Sequence, residues 1–253
     1  MIGLERKVYP SPTHGAFSLR QVVVWFVGFA FAIGAASMMQ AQTANSACGS
    51  LDNGNNGPFD YLVERGRRLS TVEEFHFTPG VESLIRGQSG SVGQDLDYTL
   101  SAFPNHHRAL MAIMRLGEKT KSSQPPGARY TVECYFQRAI RLRRDDTIAR
   151  MIYATFLAKA SRAQDAVTQL EVATTAAADN PFSHNNIGLV YFDLKEYDKA
   201  LRQAHKAISL GFVQTTLREQ LTRVGKWSEP AATAVGDTAI PAPAPTAPKA
   251  DSN

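Results

Sequence analysis

The chain has 253 residues, a formal net charge of +4, 43% hydrophobic residues and 20% charged residues. This composition permits a packed core and excludes a wholly disordered or collagen-like polymer. Two cysteines exclude a four-thiolate zinc cage and a disulfide-dense mini-protein, and so small a charge on so long a chain is weak evidence for a nucleic-acid partner.

In chain order, the first feature is Val22–Ala36, VVVWFVGFAFAIGAA, which contains no charged residue. Arg6, Lys7 and Arg20 precede it, and small or polar residues follow. A basic flank, a short apolar run and a small-residue exit are the marks of a secretory signal. The expected domain 1–46 is therefore a targeting segment, and the mature protein is expected to be periplasmic or secreted. Cleavage sites fit at Ala35-Ala36-Ser37 and Ala44-Asn45-Ser46. An uncleaved anchor over 22–39 is the alternative, since a bilayer span needs about 20 apolar residues. Cys48 is not expected to carry lipid, because Asn45 stands where such sites carry Leu.

Residues 47–58, ACGSLDNGNNGP, are turn-forming. Val72, Phe75 and Phe77 alternate imperfectly and suggest a short strand over 69–78. Thr78-Pro79 looks like a helix start with Pro at the first position, leading through Val81, Leu84 and Ile85 to Gly87. The glycines of 87–93 lack the GxGxxG spacing and read as a flexible loop. Leu96–Leu100 reads as helical, and helices are expected over 107–119 and 129–143, separated by the loop KTKSSQPPG. Arg138, Arg141, Arg143 and Arg144 cluster at the end of the second, where cations complement the helix dipole. From about Glu229 the chain is rich in Pro, Ala and Thr, so 227–253 is expected to be a disordered tail.

Between these segments the chain repeats itself. Thr147–Asn180 aligns with Pro181–Gln214, placing Ala166 on Ala200, Ala173 on Ala207 and Ala154 on Gly188. Each window holds two helical patterns joined by a short turn, with Asp146 and Asn180 as caps. Ile187-Gly188, Tyr191, Tyr197, Ala200 and Ala207 stand where a tetratricopeptide repeat places its Leu-Gly, Tyr, Tyr, Ala and Ala. The second window resembles that family closely, and the first keeps the small residues and apolar spacing. Ala204 replaces a usual aromatic, and Phe212 replaces a usual Pro. Leu217, Leu221 and Val224 recur at helical spacing, as a helix capping a repeat stack requires. As a whole, the chain looks like a short exported bacterial tetratricopeptide protein. The fold class expected is mainly α: about three repeats of antiparallel helix hairpins over 107–226, ending in a capping helix and preceded by a loop-rich block over 47–106.

The resemblance implies that the first helix of each repeat lines a concave face. Matching positions are Arg108, Met111, Arg115 and Glu118; Ile148, Met151, Thr155 and Ala158; and Phe182, Asn185, Leu189 and Phe192. A surface basic at one end and apolar at the other suits an extended peptide or a partner helix. The alternative is that Met151 and Leu189 pack against a neighbouring element. The Lys/Asn clamp that some family members place on a C-terminal carboxylate is missing here. The expected function is an exported protein-interaction scaffold; the alternatives are a membrane-tethered envelope assembly factor, or an enzyme using 47–106. An oxidising compartment favours a bridge between Cys48 and Cys134, with two buried thiols as the alternative. No catalytic motif, metal-ligand spacing or cofactor fingerprint stands out; His106 and His107, being adjacent, diverge on a helix.

Overall fold

The computed structural model describes residues 48–213 and 216–230. The expected targeting segment, the anchor alternative over 22–39 and nearly all of the Pro/Ala-rich tail lie outside the described residues. Those that are described are mainly helical: ten α-helices and a 3-10 turn at Gly54–Asn56, with no strand among them. The chain divides into two units, Met1–Arg144 and Asp145–Asn253.

The first unit contains α1 (Arg67–His76), α2 (Pro79–Glu82), α3 (Val92–Ala102), α4 (His107–Thr120) and α5 (Val132–Leu142). Here the expected strand over 69–78 is corrected to helix α1. Leu69 and Val72, three residues apart, share one helical face and pack with Ala102 and Phe103, while Phe75 points outward at 49% exposure. That i, i+3 burial decides the structure against the local alternation. Helix α2 does begin at Pro79 but stops at Glu82; Leu84 then takes a left-handed φ of +58°. Residues 87–91 form a loop, as expected, and α3 follows with a reciprocal capping box between Ser91 and Gln94.

Helices α4 and α5 form where the two upstream helices were expected, with α5 starting at Val132 behind the Thr131 cap. Gly117 lets them approach: a Cβ there would lie 2.8 Å from Val132 Cγ2. Leu96, Leu100, Phe103, Leu110, Ile113, Tyr135 and Phe136 make up the buried centre of this unit.

The second unit contains α6 (Thr147–Lys159), α7 (Ala163–Ala176), α8 (Pro181–Asp193), α9 (Tyr197–Ser209) and α10 (Thr216–Arg223). Helices α6 and α7 pack as one pair and α8 and α9 as another. Every helix start in the second pair lies 34 residues after its counterpart in the first. The caps follow the same register. Asp146 accepts from the amide of Ala149 at 2.9 Å, and Asn180 from that of Ser183 at 3.0 Å.

The ends of α6 and α8 repeat too. Ser161 and Lys195 are both left-handed, with φ of +60° and +62°. Arg162 N donates to Leu157 O at 2.9 Å, and Glu196 N to Tyr191 O at 3.0 Å. These bonds, with those from Ser161 N to Ala158 O and Lys195 N to Phe192 O, make a Schellman end twice over. Ala154, Ala166, Ala173, Gly188, Ala200 and Ala207 are buried at the helix contacts, as their small size suggested. Helix α10 lies on α8 and α9 through buried Leu217 and Leu221. Val224, expected to join them, is 40% exposed.

Candidate functional site

The two units present the expected groove residues differently. In the second unit, Ile148, Met151, Thr155 and Ala158 recur at helical spacing on α6, and Phe182, Asn185, Leu189 and Phe192 do the same on α8. The two helices are in contact. Met151 and Asn185 are buried, whereas Thr155, Ala158, Leu189 and Phe192 are half-buried. The Thr155 hydroxyl turns back to donate to Met151 O at 3.0 Å. Ile148 remains 43% exposed and Phe182 64% exposed. The Phe182 ring meets Phe212 edge-on at 5.4 Å, and the Phe192 ring lies 5.4 Å from Tyr197. Phe212, just beyond the end of α9, is thus a buried aromatic against Phe182.

In the first unit, α2 lies along α4. Arg108 Nε donates to Glu82 Oε1 at 2.8 Å, and its second nitrogen donates to Glu82 Oε2, a two-pronged pair. This pairing holds the Glu82 carboxyl below its usual range. Arg115 donates to Glu82 O at 3.1 Å, and Lys119 to Leu84 O at 2.9 Å. The cations expected at the basic end of the groove therefore hold a segment of their own chain. Met111, between them, is 40% exposed.

Cys48 and Cys134 form a disulfide with Cα atoms 5.1 Å apart. Two arginines of α5 fix the strap that begins at Cys48. Arg138 donates to Cys48 O at 3.0 Å and Ser50 O at 2.6 Å, and Arg141 to Gly49 O at 2.7 Å. Arg138 also lies 4.6 Å over the Tyr130 ring. Arg143 pairs with Asp60 at 2.6 Å. The cluster does stand at the C-terminal end of α5, and three of its four members also bind distant backbone or carboxylate.

Further polar groups are assembled from positions that no local motif connects. The Asp95 carboxylate accepts from the amides of Gln88 and Ser89, at 2.6 and 3.2 Å, and faces His76 Nδ1 at 3.0 Å. Asp97 accepts from Arg129 Nε at 2.7 Å and Tyr135 Oη at 2.5 Å; burial, with this neighbour, pushes the Tyr135 phenol up.

His106 caps α4: its Nδ1 accepts from Ala109 N at 3.2 Å, and its Nε2 meets Glu73 Oε1 at 3.0 Å. The ring packs against Tyr61 and Phe77. Burial pulls its pKa down to about 4 even though Glu73 pulls it up. Only the Ser91–Gln94 box among these features has a local signal, its S-x-x-Q spacing.

Among the described residues, no group of three or more His, Cys, Asp or Glu is arranged to hold a metal. No described helix is long and apolar enough to cross a membrane. No protein-family model matches the chain, and no curated protein matches its sequence.

Proposed function

We propose that this chain is a repeat scaffold of the tetratricopeptide type, exported from the cytoplasm, that binds an apolar peptide or partner helix on the shared face of α6 and α8 and carries out no catalysis itself. The observation that carries this reading is the pair Ile148 and Phe182. They occupy equivalent places on successive first helices, and both are large apolar side chains left in water. Burying one such side chain fully from water is worth about 1.5–3 kcal/mol, and a partner would recover the part that is still exposed, roughly half for each residue. The recurring caps, Schellman ends and small-residue contacts support the repeat assignment. The bridge between Cys48 and Cys134, together with the basic-flanked apolar segment at the start of the chain, supports an oxidising compartment outside the cytoplasm.

Selection of a displayed random-peptide library on the purified chain tests the binding face. Selected peptides are expected to carry large apolar anchors. They should lose about tenfold or more in affinity for Ile148→Ser/Phe182→Ser, in keeping with loss of a hot-spot contact. Full affinity in a variant of unchanged circular dichroism counts against the face.

A further inference from the structure

We infer that the first unit carries a separate small-molecule site, a cleft that takes an apolar body ending in a single carboxylate. The cleft lies between the loop before α1, the first half of α1 and the second half of α3. Its volume is about 470 Å³, within the ordinary span of ligand pockets, about 300–1,000 Å³. Its apolar lining comes from Phe59, Val72, Tyr98 and Ala102.

These walls are built in place. Phe59 N donates to Ala102 O at 2.8 Å, and Val72 packs in a buried cluster with Ala102. Gly57 permits the approach, because a Cβ there would lie 2.7 Å from Ala102 O. Tyr98 is stacked on His76 with centroids 3.8 Å apart, which fixes its ring while leaving the residue 38% exposed. A cleft held by backbone hydrogen bonds and ring stacking loses little entropy when it is filled.

The charges around the lining select the ligand. Glu64 is the one carboxylate of the lining, and it is committed: it accepts from Gly66 N at 3.0 Å and pairs with Arg68 at 3.2 Å. Arg68 also lies 4.9 Å over the Phe59 ring. Arg67 has no carboxylate partner among the described residues. Thr71 stands four residues further along α1, on the same helix face, and adds a hydroxyl. Asn55, Asn56 and the Tyr98 phenol complete the lining as neutral polar groups, so Arg67 is its one cation without a carboxylate partner among the described residues; a guanidinium and a hydroxyl beside an aromatic floor fit a monocarboxylate whose body is a ring or short chain. A second anionic group would meet Glu64, and a cationic ligand would meet Arg67.

Titration calorimetry of the intact oxidised chain tests this with three probes of one shape: 4-phenylbutanoate, 4-phenylbutanamide and 4-phenylbutylamine. The acid is expected to bind with Kd below about 1 mM, the amide about tenfold more weakly, and the amine not measurably. Arg67→Gln, a change at an exposed position, should bring the acid down to the amide while sparing amide binding. Thr71→Val should weaken the acid by a smaller factor. Equal affinity for acid and amide, no heat with the acid at about 5 mM, or unchanged selectivity in Arg67→Gln overturns the inference. Because the site belongs to the first unit, its failure leaves peptide binding at Ile148 and Phe182 untouched, and the two results are read separately.

Discussion

Replacing both cysteines, as Cys48→Ala/Cys134→Ala, is expected to cost the first unit most of its stability margin while leaving its helices folded. The bridge joins residues 86 apart in sequence. Cross-linking a loop of that length lowers the entropy of the unfolded chain by an amount worth about 4–5 kcal/mol at 25 °C. The folded strap has its own restraints, since Arg138 and Arg141 donate to the carbonyls of Cys48, Gly49 and Ser50. Hydrogen bonds to charged groups contribute about 1.5–3 kcal/mol each, so the strap stays docked in the variant. The loss then falls in the unfolded ensemble. Urea unfolding followed by far-UV circular dichroism should show an unchanged folded baseline and a midpoint lower by about 2–3 M for this unit. Wild-type protein under strong reductant should follow the double variant. A stability change below about 1 kcal/mol would refute the reasoning, because it would mean that the bridge does not constrain the unfolded chain.

Acid should weaken the first unit through His106. Its folded pKa of about 4 lies below the unfolded value near 6.5, so the unfolded state binds the extra proton between those values. The contribution is complete above about pH 6.5 and is lost as pH falls toward 4, with about 2 kcal/mol gone by pH 5. His106→Asn should flatten that part of the stability-pH curve, and an undiminished slope in the variant would rule His106 out as its source. Gly188→Ala is expected to destabilise the second unit by about 1–3 kcal/mol, because the added Cβ would meet Leu217 Cδ2 at 2.4 Å. In a Leu217→Ala background the penalty should shrink, and equal penalties in both backgrounds would place the strain elsewhere. Lys195→Gly should raise stability by about 0.5–1 kcal/mol over Lys195→Ala, since glycine removes the left-handed strain that both other residues carry; identical urea midpoints would argue against strain at that turn.

The hairpins of the second unit were legible because their determinants are local. Asp146 and Asn180 cap the helices they precede, and the buried alanines and Gly188 mark the close contacts at a fixed interval. The first unit was less legible. Val72, Phe75 and Phe77 alternate as a strand would, yet Leu69 and Val72 found a partner surface at Ala102 and Phe103 that only the tertiary fold supplies. The arginines of α5 and Arg143 just after it reach backbone and carboxylate groups more than 80 residues away, and no short window contains both ends of such a bond. Arg108 and Arg115 were expected on the groove face of α4 because the repeat resemblance carries its groove positions onto them. That face is engaged by Glu82, whose position follows from where α2 stops.

The most direct test of the scaffold reading is site-specific photo-crosslinking in living cells. A photoreactive phenylalanine analogue would be placed in turn at Ile148, at Phe182 and at Val172, an exposed apolar residue on second helix α7. A scaffold that binds on this face yields the same discrete adduct with an envelope protein from the first two positions and none from Val172. An adduct from Val172 alone, or adducts that form only with cytoplasmic proteins, would contradict that reading.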